Sequence, residues 1–329
     1  MPKREKYGAQ PPLELLRMSM DIGGWYDRKT LDYKKIIDIQ FVSSMGTGRQ
    51  PLPNRLKRHY NILYSFEYDD ETIRSVFTEI LNYCLKEYPL PMKNLTPNII
   101  SACTELYKCV QKEFPPLPKK PHYQFNLRDL SKTLQGMVSV PKTQYEETET
   151  LKDDLLKLWV YESTASFSDR FIDNYDKNKL RDIQKKIGFQ EFKIKTSDVH
   201  FSANFGNFLV AGTETKEYVK IDDLASIKPC IEGYITEYNE TYKNKINILL
   251  FDEAVENLTK INRILARPYG HGLLIGLGGD GRKTLSRLAS FMQDFKNIEE
   301  LPGEREVINA DWLDFLQGVL KNAGVEENP

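Results

Sequence analysis

A glycine-rich segment constrains the fold of this chain more than any other feature of its sequence. It reads Gly276-Leu277-Gly278-Gly279-Asp280-Gly281-Arg282-Lys283-Thr284, and it lies between the apolar run Leu273–Ile275 and a helical pattern over Thr284–Phe295. Glycines let a backbone curl with several N–H groups pointing inward, and the N-terminus of the next helix adds positive potential. The order therefore predicts a strand, a phosphate-binding loop and a helix, the local plan of an α/β nucleotide-binding fold.

The loop departs from the usual phosphate-loop pattern G-x-x-x-x-G-K-[ST] in three places. Gly276 and Gly281 match, but Arg282 stands at the lysine position, Lys283 stands at the hydroxyl position, and Thr284 follows one residue late. The planar fork of an arginine does not replace a compact ammonium, and Asp280 puts a negative charge where phosphates would bind. The segment thus favours nucleotide binding and argues against hydrolysis.

Two other interpretations of the loop stay open at this point. One is a glycine turn between strand and helix that binds no ligand. The other is a dinucleotide-binding loop, although the Arg282-Lys283 pair and the lack of a strand-end acid at the usual interval argue against it.

The remainder of the chain predicts helices between two α/β segments. The apolar run Ile36–Val42 suits a buried strand and ends in a small-residue loop. From Asp69 to about Val140 the pattern is helical, which suggests a lid on an α/β core. The predicted first helix is capped by Asp70 and has one apolar face of Ile73, Val76, Phe77 and Ile80; the second starts at Asn98 and the third at Asn126 or Leu127.

The later half returns to an α/β pattern. The amphipathic run Leu249–Leu265 predicts a helix before the glycine loop, and Asp311–Ala323 predicts one after it. Leu285, Leu288, Met292 and Phe295 should face inward on the helix that follows the loop. Because the charged run Lys142–Lys157 breaks the pattern, a domain boundary is expected near residue 140.

Composition limits the classes of partner. The chain has 329 residues, with 46 Lys+Arg against 47 Asp+Glu, so its net charge predicts no attraction to nucleic acid or to an anionic membrane. The four cysteines form no C-x-x-C pair and no zinc-like spacing with histidine, which indicates reduced thiols. The sequence has no membrane-length apolar run and no secretory signal, so we expect a cytoplasmic protein.

The segment Gly270–Ala289 resembles the phosphate loop of the fourth AAA+ module of axonemal dynein heavy chains, whose pattern is near G-x-G-G-S-G-[RK]-Q-S-L-[ST]-R-L-A. On this alignment Arg282 takes the place of the phosphate-binding lysine and Thr284 takes that of the hydroxyl. Asp280 and Lys283 depart from the family's serine and glutamine.

The first part of the chain is similar to the third module of the same ring. Tyr7–Arg17 and Gly24–Lys29 match the stretch after the Walker B acids, and Ser44-Met45-Gly46 matches the end of the sensor-one strand. Gly48–Tyr60 resembles the segment that carries the arginine finger, with a shortened insert before it. Phe125–Lys132 with Gln135-Gly136 resembles the sensor-two helix of the lid. The likeness thins between about residues 140 and 235, where Trp159, Glu162 and Asp169–Phe171 still fit the entry to the fourth module.

The resemblance implies roles for particular residues. Arg58 and Arg55 become candidates for an arginine finger that acts in trans on a γ-phosphate, and Arg128 becomes the sensor-two arginine. ATP or ADP would be bound by Gly276, Gly278, Gly279, Gly281, Arg282, Lys283 and Thr284, with Thr284 as a weak Mg²⁺ ligand. The alternatives are that Arg55 and Arg58 form salt bridges or cover apolar surface, and that Arg128 pairs with Asp129 or Glu105.

The fold class that follows is α/β: two partial AAA+ P-loop NTPase modules with a helical lid between two incomplete α/β subdomains. Residues 1–68 would be the C-terminal part of one α/β subdomain, residues 69–140 the lid, and residues 141–329 the N-terminal part of the next module with its degenerate Walker A loop. Walker B acids would lie outside the chain on both sides, so a fragment that does not hydrolyse ATP by itself is expected.

The implied function is that of a segment of a dynein motor ATPase ring, which contributes to ATP binding and ATP-coupled movement on microtubules. Its partners would be the remaining ring modules and, through the full heavy chain, intermediate chains, light chains and microtubules. The implied location is the cytoplasm, in the cytoskeleton and the axoneme of a cilium or flagellum. A non-catalytic AAA+-like module that has lost nucleotide binding is the main alternative, and a small-molecule kinase is a third, disfavoured by the lid-type block before the loop.

Overall fold

The computed structural model describes residues 2–46, 52–142, 150–194, 203–209, 216–221, 223–298 and 309–325. The chain divides into two compact units, Met1–Tyr68 and Asp69–Pro329. Within the described residues, the regular structure is mostly helical, and its only sheets are two antiparallel pairs of three-residue strands.

The described residues of unit one form two helices and one hairpin. Helix α1 (Pro11–Ile22) begins with prolines in its first turn, and Gly23 ends it in the left-handed conformation at φ 69°. Strand β1 (Gly24–Tyr26) then pairs antiparallel with β2 (Tyr33–Lys35). The short helix α2 (Asn54–Lys57) buries Leu56.

The predicted strand at Ile36–Val42 is wrong for this structure. The segment is assigned to no strand, and Ile37 is 65% and Val42 99% exposed. A buried apolar strand needs neighbours that donate and accept its backbone hydrogen bonds, and parallel neighbours lie far away in sequence. The described part of unit one offers only the β1–β2 pair. Ile36 N–H still donates to the Gly23 carbonyl at 2.8 Å, but Asp38 at φ 58° turns the backbone out of a strand conformation two residues later.

The first helix of unit two is α3 (Asp70–Cys84), and its cap and buried face differ from those predicted. Asp69 is the N-cap and accepts a hydrogen bond from the Thr72 N–H at 2.9 Å. The buried stripe is Ile73, Phe77 and Leu81, spaced by four residues, whereas the expected members Val76 and Ile80 are half exposed. Residues spaced by four lie along one narrow face of a helix, and only this face is buried, whereas a wider face was predicted.

The second and third predicted helices are confirmed with small shifts at their ends. After the short helix α4 (Leu90–Asn94), α5 (Thr96–Glu113) buries its expected apolar stripe from Ile99 to Val110. Helix α6 (Leu127–Met137) starts after Asn126, whose side chain and that of Asp129 form a reciprocal capping box.

Two longer helices complete the first apolar core. Helix α7 (Leu151–Phe167) runs into a single 3₁₀ turn (Ser168–Arg170), and α8 (Asn174–Phe192) follows. Trp159 of α7 is fully buried, and its ring lies 6.3 Å from that of Phe192 in α8. A Cβ atom at Gly188 would lie 2.6 Å from a methyl group of Leu156, so the two helices approach each other as closely as a glycine permits.

A second apolar core holds the region around the glycine loop. Strands β3 (Asn204–Gly206) and β4 (Val219–Ile221) pair antiparallel and are followed by α9 (Leu224–Thr241), α10 (Asp252–Leu265) and α11 (Arg282–Met292). This core is formed by buried side chains of these helices, among them Ile231, Val255, Leu258, Leu285 and Leu288. The last helix is α12 (Asn309–Gly324), as its sequence predicted.

The strand expected before the glycine loop is absent. Leu273 and Ile275 are each 86% exposed, and residues 270–276 are extended without strand pairing. The cause is the same as in unit one, because the described residues provide no parallel neighbour. Phe295, expected to face inward after the loop, is 36% exposed and lies beyond the end of α11.

Candidate functional site

The glycine loop joins two helices of the second core. Helix α10 ends at Leu265, and after an extended segment the loop leads into α11, which begins at Arg282. The N-terminus of α11 carries no side-chain cap and no acidic residue in its first turn. Its first N–H groups have no partner within the helix, so they remain available to an anion.

Two loop glycines have backbone conformations that other residues rarely adopt. Gly279 has φ 93° and Gly281, the N-cap of α11, has φ 74°. A Cβ atom placed at Gly278, Gly279 or Gly281 would meet no atom within 4 Å, so space is open on that side of the loop. Conformation and space together fit a phosphate group that approaches the backbone closely.

The side chains of Asp280 and Arg282 are turned onto the loop itself. Arg282 Nη2 donates to the Leu277 carbonyl at 2.7 Å. Asp280 Oδ2 lies 2.5 Å from the position that a Cβ atom of Gly276 would take, so this carboxylate rests against the first glycine of the motif. The cation that the sequence assigned to phosphate is therefore bound to a backbone oxygen, and an anion lies beside it.

Lys283 and Thr284 occupy the first turn of α11. Lys283 is exposed and Thr284 is partly exposed. No hydrogen bond or ion pair of the Lys283 side chain is seen among the residues that the structure describes. The loop backbone, the helix N-terminus and two adjacent basic side chains thus fit a nucleotide phosphate, whereas Asp280 does not.

Arg128 lies in the first turn of α6 and is exposed. Neither acid proposed as its partner is available, because Asp129 pairs with Arg170 and Glu105 pairs with Arg74 at 3.7 Å. Within the described ranges, no hydrogen bond or ion pair joins the Arg128 side chain to the glycine loop or to any other group.

The two arginine-finger candidates lie in unit one and have different surroundings. Arg58 Nη2 donates to Asp21 Oδ1 at 2.7 Å, and Asp21 also binds Arg17 at 2.6 Å. Arg55 is exposed on α2, and no partner of its side chain is seen in the described part of the chain. Part of the segment expected to carry the finger, residues 48–51, lies outside the described residues.

One polar cluster was not predicted from the sequence. Glu162 of α7 is fully buried and binds Arg263 of α10 and Arg267, which follows the end of that helix. Arg263 donates to it through Nε at 3.2 Å and also through Nη2, and Arg267 donates through Nη2 at 2.6 Å. Tyr218 donates its hydroxyl to Glu162 Oε1 at 2.7 Å. A lone acid directly after the apolar run Leu158–Tyr161 was the available sequence signal.

The cluster is held in its charged form. Burial by itself raises the pKa of the Glu162 carboxyl, but Arg263 and Arg267 lower it below its ordinary value. Burial lowers the pKa of Arg263, and Glu162 more than reverses this. Gly136 of α6 leaves the room that Glu162 needs, because a Cβ atom there would lie 1.9 Å from Glu162 Oε2. The carboxylate thus ties α6 and α7 to the helix that leads into the glycine loop.

Two negative findings limit the chemistry of the described residues. They contain no group of three or more His, Cys, Asp or Glu side chains that could hold a metal ion. Nor do they contain a helix that is both long and apolar enough to span a bilayer.

Three family models match the chain in succession. Residues 1–68 match a P-loop containing dynein motor region, residues 80–177 match the dynein heavy chain ATPase lid domain, and residues 246–329 match the P-loop containing dynein motor region D4.

Curated relatives match along the whole chain. Dynein axonemal heavy chain 1 of Mus musculus is 34% identical over 347 aligned residues, covering 100% of this chain and 8% of the relative. The human protein of the same name is also 34% identical, with the same coverage. The Dynein-1-beta heavy chain of the flagellar inner arm I1 complex of Chlamydomonas reinhardtii is 33% identical and covers 100% of this chain. The chain therefore spans less than a tenth of the length of these relatives.

Proposed function

The chain belongs to the axonemal dynein heavy-chain family, and from that premise we propose that it forms the junction between two consecutive ATPase modules of a dynein motor ring. In this proposal residues 1–68 belong to an α/β subdomain of the third module, residues 69–140 form its lid, and residues 141–329 open the fourth. The match to the lid family runs from residue 80 to residue 177, and the glycine loop lies within the match to region D4.

The glycine loop is the proposed nucleotide site of the fourth module. This proposal is supported mainly by the geometry of the loop. Gly279 and Gly281 have positive φ, the space beside them is open, and the N-terminus of α11 that follows has no side-chain cap. Loop and helix N–H groups would hold the phosphates of ATP or ADP, with Gly276 and Gly278 completing the turn. Lys283 and a released Arg282 would balance their charge, and Thr284 would contribute its hydroxyl to Mg²⁺.

The arginines have proposed roles at sites that other ring modules complete. Arg55 is the better finger candidate, because Arg58 already pairs with Asp21. Arg128 is the proposed sensor-two residue of the lid, and its exposed position at the start of α6 leaves it able to reach a γ-phosphate.

At the level of the whole heavy chain, we propose ATP-coupled movement along microtubules. The names of the relatives place them in axonemes or flagella, which supports a location in the axonemal cytoskeleton for this chain. The remaining ring modules are its proposed direct partners, and intermediate chains, light chains and microtubules would associate through other parts of the heavy chain.

A module that kept this shape and lost its nucleotide is the competing function. The position of Asp280 against Gly276 and the hydrogen bond from Arg282 to Leu277 favour it. In that case the loop would be a structural turn, and the chain would serve only to pack ring modules together.

Calorimetric titration separates the two functions. Wild type is titrated with Mg-ATP and Mg-ADP beside the double variant Arg282→Gln/Lys283→Gln and the control Lys177→Gln, which removes an exposed charge from α8. We expect wild type and control to bind alike, and the double variant to bind at least about tenfold more weakly, since two charge-assisted contacts are lost. Absence of binding to wild type at millimolar nucleotide would support the competing function.

A further inference from the structure

A cavity of about 300 Å³ lies beside the buried cluster of Glu162. Among the described residues, its basic lining consists of Arg263 from α10, Arg267 just after that helix and Lys216 from the segment before β4. Asn207 and Ser139 add neutral polar groups. The cavity is at the lower end of the volume range of small-molecule sites, and a phosphate group with its first contacts fits such a space.

The buried charges around this cavity do not balance. The side chains of Arg263 and Arg267 are only 8% and 18% exposed, and both bind the single carboxylate of Glu162. Tyr218 also donates to that carboxylate, so its acceptor capacity is shared among three donors. Lys216 pairs with Asp294, which is 82% exposed, so that pair adds no net charge. Two guanidinium groups and one carboxylate leave one positive charge in a poorly solvated place, where buried charges are normally paired.

Donor groups remain for an anion in the cavity. Arg263 uses Nε and Nη2 on Glu162, and Arg267 uses Nη2 on Glu162 and Nη1 on the Lys132 carbonyl at 3.3 Å. This leaves N–H groups at Nη1 of Arg263 and Nε of Arg267 for a ligand. Glu217 also lines the cavity, but it is exposed and therefore less effective in neutralising the arginines.

We propose that this cavity binds a phosphate group, which Arg263 and Arg267 hold with the N–H groups that Glu162 leaves free. The phosphate would be that of a free inorganic anion or the terminal phosphate of a nucleotide, since both present the same oxygens to a guanidinium fork. Lys216 stands at the same cavity as a third cation. No residue of the glycine loop lines the cavity, so this is a second anion site, independent of the proposed nucleotide loop.

Pyrophosphate titration of the full 329-residue chain tests the proposal. The key variant is Arg267→Gln, which removes the unbalanced charge while Glu162 keeps Arg263 and Tyr218 as partners. We expect pyrophosphate binding to wild type in low-chloride buffer and a loss of at least about tenfold in Arg267→Gln, the effect of one charge-assisted contact. Inorganic phosphate and ADP are titrated into wild type and Arg267→Gln in parallel, and the ligand whose affinity Arg267→Gln lowers more identifies the source of the phosphate.

Two further variants keep the result decisive. In the Arg282→Gln/Lys283→Gln background, where phosphate binding at the glycine loop is weakened, Arg267→Gln should still lower pyrophosphate affinity by at least about tenfold. This separates failure of the cavity proposal from failure of the proposed nucleotide function. Glu217→Gln removes the carboxylate that competes with the anion in the cavity and should tighten pyrophosphate binding several-fold. This variant provides the test if Arg267→Gln does not fold. The proposal is overturned if wild type shows no binding at millimolar pyrophosphate, or if Arg267→Gln and Glu217→Gln both bind as wild type does.

Discussion

At the residue scale, the glycines of the loop differ in what they require. Gly281 has φ 74°, whereas Gly278 is not among the residues with positive φ, although both have open space around them. We predict that Gly281→Ala destabilises the chain by about 1 kcal/mol and weakens Mg-ATP binding, because a Cβ atom disfavours the left-handed conformation. Gly278→Ala is the matched control and should change thermal unfolding little. Equal effects of the two substitutions would contradict the assignment of strain to Gly281.

Asp280 supplies the second prediction at this scale. Its carboxylate lies against Gly276, so it repels phosphates that enter the loop. Asp280→Ser should therefore raise the affinity for Mg-ATP by on the order of tenfold, and the isosteric Asp280→Asn should do so as well, as measured with a fluorescent nucleotide. If Asp280→Asn binds no tighter than wild type, charge repulsion at this position is the wrong explanation.

At the scale of elements, contact between α6 and α7 depends on a glycine. A Cβ atom at Gly136 would lie 1.9 Å from Glu162 Oε2, whereas one at Gly233 in α9 would meet nothing within 4 Å. Gly136→Ala should cost roughly 2 kcal/mol or more in the free energy of unfolding, through overpacking at a buried charge. Gly233→Ala should stabilise by about 0.5–1 kcal/mol, because alanine favours a helix interior. Chemical denaturation of both variants measures the difference.

The ion cluster between α7 and α10 predicts a pH dependence. The pKa of Glu162 is lowered in the folded chain, so its contribution to stability is present above the unfolded pKa, about 4.3, and is lost as the pH falls through the folded pKa. Glu162→Gln should cost about 3 kcal/mol at pH 7 by leaving Arg263 and Arg267 without a counter-charge. Below about pH 4 the gap between variant and wild type should narrow.

Stability measured by denaturant titration at pH 7 and at pH 3.5 checks this prediction. Arg17→Gln, which removes the two surface ion pairs with Glu14 and Asp21 in unit one, is the control and should cost little at either pH. A constant difference between wild type and Glu162→Gln across this range would show that Glu162 is not a charged partner of the arginines.

Local sequence rules predicted part of the helices well, missed others such as α1, α8 and α9, and predicted the strands badly. Asn126 with Asp129 predicts the start of α6 because capping is decided by neighbours in sequence, and the stripe Ile99–Val110 predicts the buried face of α5. The runs Ile36–Val42 and Leu273–Ile275 carry the residue types of buried strands, but a parallel strand also needs neighbours that its own sequence does not specify. Similarly, the partners of Glu162 lie 56 to 105 residues away, beyond any local pattern.

The candidate site was predictable in its backbone and not in its side chains. The glycine spacing correctly predicted an open turn before a helix, since it depends on residues next to each other. That Arg282 binds the Leu277 carbonyl and that Arg58 pairs with Asp21 depends on rotamers and on tertiary contacts. The roles of Arg55, Arg58 and Arg128 therefore stay predictions, to be tested where neighbouring modules are present.

At the scale of the whole molecule, the chain has well-packed apolar cores and also exposed apolar segments. Unit two has two packed apolar cores joined by the Glu162 cluster, whereas apolar segments such as Ile62–Phe66 in unit one and Leu273–Leu277 in unit two are exposed. Its relatives continue well beyond the matched region, since the chain covers 8% of the length of the mouse relative. Its proposed place at a junction of ring modules accounts for both features.

The central claim is that the glycine loop binds nucleotide phosphates, and amide hydrogen exchange tests it most directly. Exchange is followed by mass spectrometry with and without saturating Mg-ATP, on peptides that cover residues 276–284. The account predicts slower exchange in that segment on addition of Mg-ATP, because its N–H groups become donors to phosphate. Unchanged exchange across residues 276–284, with Mg-ATP shown to be bound elsewhere or not at all, would contradict it.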